Sequence, residues 1–303
     1  METKLRLSPY ETEARLPDFL RYLEVERRVS ANTVLTYRYS LRGYLRHLEI
    51  GGTQPAQMTR ETVLAYLDDP KRRSLTPSTR HQAVFAIRLY HRFLRLKGYA
   101  ETDPTANIPL PRVDHRLPQP LTVAEVEKFL AAPKGSKFIH IRNRAILELL
   151  YATGLRISEL TGLQASQTDL KAGYLRVRGK GGKERIVPFG GRARKAVRGY
   201  LAARKKKFPG VAEPMFLNIH GHGLTRGNLW QQLKDYARRA GITRRVSPHV
   251  IRHSFATHML SGGADLRAIQ EMLGHRRITT TEIYTHVEPD HLRRVWDRAH
   301  PLR

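Results

Sequence analysis

Residues 107 to 121 read NIPLPRVDHRLPQPL. Four prolines in this stretch remove backbone donors and push the residues before them out of the helical region, so no helix or central strand can run through it. A chain of 303 residues is long enough for about two domains. The proline segment is where it must divide: residues 1–108 on one side, a linker over 109–120, and a second domain over 121–303. Leu121-Thr122-Val-Ala-Glu125-Val126 restarts the chain as a helix. Thr122 and Glu125 have capping-box spacing, and Leu121 stands where it can staple onto Val126.

The first segment reads as all helical. Apolar residues recur at helical spacing over 18–26, over 33–48 behind Ser30, and over 61–67. A fourth helix is capped by Thr76, takes Pro77 at its first position, runs through Val84, Ile87, Tyr90, Phe93 and Leu94, and stops at Gly98. Its other face carries Arg80, Arg88, Arg92 and Arg95. Alone such a face is a solvated charged surface, but the chain as a whole holds 54 Lys and Arg against 27 Asp and Glu, a formal charge of +27. An excess of that size calls for a polyanion, and it makes these four arginines candidates for tracking a phosphate backbone.

The second segment is mixed: helical patterns over 125–131, 141–152, 194–204 and 228–240 surround one β-hairpin signal, GYLRVRGKGGKERIVPF, over 173–189. The expected fold is therefore mainly α with a small antiparallel β-sheet. The hairpin's Gly-Lys pairs do not make a nucleotide loop, because Glu184 follows Lys183 where a P-loop needs Ser or Thr. With no cysteine there is no thiol nucleophile and no thiolate metal site. No apolar run reaches the roughly 20 residues of a membrane span, and the N-terminus lacks a signal-peptide centre, so the expectation is a soluble, cytoplasmic chain with no membrane partner.

Four short pieces carry chemistry. In TGLRISEL, Arg156 and Glu159 are three apart and share a face if a helix begins there. Lys180 stands in the hairpin turn among glycines, and Lys183 lies too near it to be set aside. In VSPHVIRHSFATHML, Ser247 caps and Pro248 opens a helix whose first turns carry His249 and Arg252. His253 lies four residues from His249, but the pair lacks the glutamate and third ligand of a metal site; His220 and His222 read as a loop feature. Last, ADLRAIQEMLG is an amphipathic helix ended by Gly274, which leaves His275 just beyond it. Thr279 and Glu282 form a second capping box that places Tyr284 in the second turn of a short helix.

Each piece alone has an ordinary structural explanation. Together they meet the needs of phosphodiester cleavage without metal: two guanidinium forks for the non-bridging oxygens, an acid for the leaving oxygen, a proton acceptor and a nucleophile.

The strings TGLRISEL, GKGGKER, HVIRHSFATHML and LGHRRITTTEIYTHV, in this order, resemble the tyrosine site-specific recombinases of the phage integrase family, over essentially the whole chain. The resemblance implies an N-terminal helical, SAM-like core-binding domain and a C-terminal catalytic domain that clamp DNA between them. It implies that Arg156 and Arg252 bind the scissile phosphate, that Lys180 is the general acid and that His249 assists proton transfer. His275 would hydrogen-bond the phosphate, Glu159 would brace the site, and Tyr284 would form the 3′-phosphotyrosyl bond, with no cofactor or metal. In length and in its ending, HLRRVWDRAHPLR, the chain is similar to the Xer subfamily. That implies a homo- or hetero-tetramer with a second recombinase on two duplexes, in which the terminal helix docks on the neighbouring subunit. It also implies chromosome-dimer resolution at a dif-like site with an FtsK-type DNA translocase as activator. A mobile-element integrase or transposase has the same catalytic motifs, a type IB topoisomerase similar ones, and a non-enzymatic basic DNA-binding protein would satisfy the charge alone.

Overall fold

The computed structural model describes Tyr10 and residues 14–112, 119–179, 184–274 and 289–302. They fall into two compact units that divide between positions 116 and 117, inside the proline segment.

The first unit is helical: α1 (Leu16–Val25), α2 (Ala31–Ile50), α3 (Arg60–Asp68), a single turn α4 (Pro70–Arg73) and α5 (Pro77–Leu96). Local signals set these ends. The Thr59 hydroxyl accepts from the Thr62 amide and the Thr76 hydroxyl from the Thr79 amide. Gly98, at φ 73, turns the chain away after α5. Phe19 and Leu23, Leu41, Tyr44 and Leu45, and Ile87, Tyr90 and Leu94 are buried in one core. Within it the Tyr44 hydroxyl and His91 Nε2 are hydrogen-bonded at 2.7 Å. The proline segment is anchored to this unit at its start: His81 Nδ1 bonds the Pro111 carbonyl at 3.0 Å and Arg88 donates to the Ile108 carbonyl. Proline removes donors but leaves its acceptors, so these carbonyls can still be tied down.

The second unit opens with α6 (Val123–Ala131), α7 (Phe138–Thr153) and the short α8 (Ile157–Thr161). A three-stranded antiparallel sheet follows, β1 (Thr168–Asp169), β2 (Tyr174–Arg178) and β3 (Glu184–Pro188), in the order β1-β2-β3. The helices α9 (Gly191–Lys207), α10 (Arg226–Arg239), α11 (Pro248–Ser261), α12 (Leu266–Leu273) and α13 (Pro289–Ala299) complete it. Thr122 and Glu125 form the full reciprocal capping box, at 3.2 and 2.7 Å. The adjacent Leu121 amide donates to Ser254 Oγ of α11, which ties the start of the unit to its centre. Register pairs Leu175 with Val187 and Arg178 with Glu184, so Leu175, Val177 and Val187 face the core while Arg176 and Arg178 face solvent. The turn residues 180–183, and with them Lys180 and Lys183, lie outside the described residues.

The terminal helix α13, which the resemblance places on a neighbouring subunit, packs on its own chain in this structure. Leu292, Val295 and Trp296 are buried in the unit's core, Trp296 Nε1 donates to the Ala152 carbonyl at 2.8 Å, and the indole stacks on His300 with centroids 4.2 Å apart. An apolar face of this size must be buried somewhere, and in a single chain its own core is the available place.

Burial pushes the imidazoles of His91 and His300 down to about 4 from an ordinary 6.5. Because the folded values lie below the unfolded ones, the unfolded chain binds protons more readily. The stability from each neutral histidine is complete above about pH 6.5 and is lost as pH falls toward 4, by about 2 kcal/mol at pH 5. We expect the urea midpoint to fall from pH 7.5 to pH 5, and the fall to be smaller in His91→Gln. An equal fall in both proteins would remove His91 from the effect.

Candidate active site

Helix α7 ends at Gly154, whose left-handed backbone (φ 59) turns the chain into α8. Arg156 is the N-cap of α8 and Glu159 its third residue. The Glu159 carboxylate reaches back to accept from the Arg156 amide at 2.9 Å and from Arg156 Nη1 at 2.9 Å. It also takes both ends of a second guanidinium: Arg185, on β3, donates Nη1 to Oε1 at 3.0 Å and Nη2 to Oε2 at 2.8 Å. Burial pushes the pKa of Glu159 up, but the hydrogen bonds and charge of Arg185, with the hydrogen bonds of Arg156, outweigh it and hold the carboxyl below its ordinary value. Glu159 is thus an anion at neutral pH between two cations.

The third arginine of the cluster, Arg252, comes from α11. Ser247 caps that helix by accepting from the Val250 amide, Pro248 opens it, and Arg252 follows one turn later with 7% of its surface exposed. Its Nη1 donates to the Gly154 carbonyl at 2.8 Å and its Nη2 to the Leu273 carbonyl at 2.6 Å. These acceptors sit at the C-terminal ends of α7 and α12, where carbonyls lack helical partners and the dipole favours a cation. Burial, with repulsion from Arg156 and Arg185, lowers the Arg252 guanidinium to about 10, which leaves it charged at neutral pH.

The end of α12 gathers all three arginines. Arg185 Nε donates to the Met272 carbonyl at 2.8 Å, Arg252 to Leu273, and Arg156 Nη2 to Gly274 at 3.4 Å. Three consecutive carbonyls are met by guanidinium groups from three elements distant in sequence. Gly274, at φ 66, is the left-handed C-cap of that helix.

Of the residues singled out in the sequence, the structure therefore brings together Arg156, Glu159 and Arg252. His249 is exposed on the first turn of α11, one turn before Arg252. Lys180, His275 and Tyr284, and the capping box at Thr279 and Glu282, lie outside the described residues. Among the described residues no three His, Asp or Glu side chains converge as metal ligands. In the first unit, Arg92 and Arg95 are exposed on α5, Arg92 lies 3.9 Å from Asp103, Arg80 is half-buried, and Arg88 is occupied with the Ile108 carbonyl. Arg88 therefore serves the fold as well as the charged face.

Arg185 was not among the sequence candidates. Its signal was parity: on β3 it shares a face with the buried Val187, and a charged side chain on the inward face needs a buried partner.

Residues 119–291 match the Phage integrase family, and residues 16–98 match the Phage integrase, N-terminal SAM-like domain. The chain belongs to the phage integrase family, that of the tyrosine recombinases. It is 43% identical to the tyrosine recombinase XerD of Halalkalibacterium halodurans over 292 residues, which cover 94% of this chain and 97% of that one. It is 44% identical to the tyrosine recombinase XerD of Mycobacterium tuberculosis, over 95% of this chain and 97% of that one. In fold it is similar to a crystal structure of the XerH site-specific recombinase bound to a palindromic difH substrate. That match has a TM-score of 0.68 at 21% identity, over 91% of this chain and 85% of that one. The mainly helical fold with its small sheet, and the pairing of a SAM-like with a catalytic domain, agree with the expectation from sequence.

A methyl group at Gly154 would lie 2.6 Å from the Phe255 ring and 2.7 Å from Leu273, on a backbone that L-residues rarely adopt. We expect Gly154→Ala to cost about 2 kcal/mol or more. Gly191→Ala, where a methyl meets nothing within 4 Å, is the control and should leave the melting temperature unchanged or higher. Equal melting temperatures for the two variants would contradict the packing assigned to Gly154.

Proposed function

We propose that this protein is a site-specific recombinase that cuts and rejoins duplex DNA through a phosphotyrosine at Tyr284. The observation that carries this reading is the pair of guanidinium groups, Arg156 and Arg252, held on one helix end in a chain of the tyrosine recombinase family.

In the proposed reaction Arg156 and Arg252 take the non-bridging oxygens of the scissile phosphate, with His275 as a further donor. The Tyr284 oxygen attacks phosphorus and its proton passes to His249. The bond to the 5′ oxygen breaks as Lys180 supplies that oxygen's proton, which leaves a 3′-phosphotyrosyl ester and a free 5′ hydroxyl. A 5′ hydroxyl from the partner duplex reverses these steps and frees the tyrosine. The ester conserves the bond energy, so no nucleotide is consumed.

The biological task we propose is resolution of chromosome dimers at a dif-like site, in the cytoplasm, as a tetramer on two duplexes with an FtsK-type translocase as activator. Near-full-length identity above 40% to proteins named XerD supports it. We assign residues 1–108, within the first unit, to core DNA binding, with Arg80, Arg88, Arg92 and Arg95 on phosphates. The second, residues 121–303, is the catalytic domain.

The test is covalent trapping: wild type and Tyr284→Phe are incubated with nicked, fragmented host DNA, denatured in detergent, and the attached DNA is sequenced. Wild-type adducts at one chromosomal locus, absent from the variant, are expected. Adducts at the ends of a mobile element would favour an integrase, and adducts that survive Tyr284→Phe would refute the assignment of the nucleophile.

A further inference from the structure

The proposed reaction gives every member of the arginine cluster a task except Arg185. Its side chain is only 9% exposed, yet it is charged. Burying a guanidinium is costly unless its donors are met, and here three of its nitrogens are used: Nε on the Met272 carbonyl, Nη1 and Nη2 on the two oxygens of Glu159. Meeting the Met272 carbonyl takes one donor and no net charge, so the bidentate pairing with Glu159 is more than a plain structural brace requires.

Charge explains the choice. Glu159 is needed where it is, because it accepts from both the amide and the guanidinium of Arg156 and so fixes the direction of that side chain. Left alone with Arg156, however, the carboxylate would cancel the charge it is orienting. A phosphodiester carries one negative charge, and in passing through a pentavalent arrangement between two oxygens it approaches two. The four groups joined by these contacts, Arg156, Arg185 and Arg252 against Glu159, sum to 3 − 1 = +2. Without Arg185 the sum of these four falls to +1, which halves the charge that this cluster offers the transition state beside Lys180.

We propose that Arg185 is a positioning residue that acts through Glu159: it holds and neutralises the carboxylate so that Glu159 orients Arg156 without cancelling its charge at the scissile phosphate. Through Nε on Met272 it also joins strand β3 of the hairpin to the helix end on which Arg156 and Arg252 converge. The inference rests on the phosphoryl transfer proposed above, and it goes beyond that reading by assigning a residue that the reaction scheme does not include.

The test compares single-turnover formation of the covalent protein–DNA adduct on a nicked duplex carrying the trapped locus, at fixed salt, with DNA affinity measured alongside. Arg185→Met is expected to slow adduct formation by about 10²-fold with little change in affinity. The double variant Arg185→Met, Glu159→Gln, which removes both charges and restores +2, is expected to recover about tenfold of that loss. A structural brace would make the double variant as slow as the single one or slower. Arg185→Lys, which keeps the charge with fewer contacts, covers the case in which Arg185→Met does not fold; it should lose less than about tenfold. Three results overturn the inference while wild type still forms the adduct: Arg185→Met at near wild-type rate, a double variant no faster than Arg185→Met, or Arg185→Lys as slow as Arg185→Met. No adduct from wild type with the FtsK-type translocase supplied would instead overturn the recombinase reading, and this inference with it.

Discussion

The three carbonyls at the end of α12 are the point on which the catalytic unit's site depends. A helix end leaves its last carbonyls without intrahelical partners, and when it is buried they must be met by something. Here they are met by Arg185, Arg252 and Arg156, brought from β3, α11 and the start of α8. The need to satisfy these acceptors draws into a small volume three cations that would otherwise repel one another. Glu159 makes the gathering tolerable by lying between two of them. The same contacts that complete the fold therefore concentrate positive charge, which is what an anionic substrate requires.

This arrangement divides the work among the arginines by burial. Arg252 and Arg185 are nearly enclosed and are fixed by backbone and carboxylate acceptors, whereas the Arg156 side chain is 39% exposed. The enclosed pair is fixed by these acceptors, and the more open one, although bonded to Glu159 and Gly274, keeps part of its guanidinium accessible. Gly154 is central to this geometry because its carbonyl receives Arg252 while its own left-handed turn delivers Arg156. The overall charge of +27 is a different, longer-range device that attracts the polymer but does not select a phosphate.

Much of this was legible in the sequence because the signals were local. The Thr122–Glu125 box, the Ser247-Pro248 helix start and the Gly274 stop each state a physical requirement within four residues, and each is met. Arg156, Glu159 and Arg252 were legible as a set because their chemistry is complementary. What the sequence hid was long-range. Strand β1 is two residues long and has no periodicity to read. The anchoring of the proline segment by His81 and Arg88 depends on carbonyls 30 and 20 residues away. Arg185 looks like one more charge in a basic hairpin until its partner on α8 is known. The apolar face of α13 is evident in the sequence, but whether it covers its own core or another copy's is not.

Arg156, held by Glu159, serves chiefly the reacting phosphate, because its bond to the end of α12 is the long one, 3.4 Å to Gly274. Single-turnover cleavage by Arg156→Ala, with DNA affinity and melting temperature measured on the same preparation, separates that role from fold stability and general DNA affinity. We expect cleavage to fall by about 10²-fold or more while affinity and melting temperature stay near those of wild type. Near-normal cleavage, or a loss matched by equal losses of affinity or stability, would contradict the account.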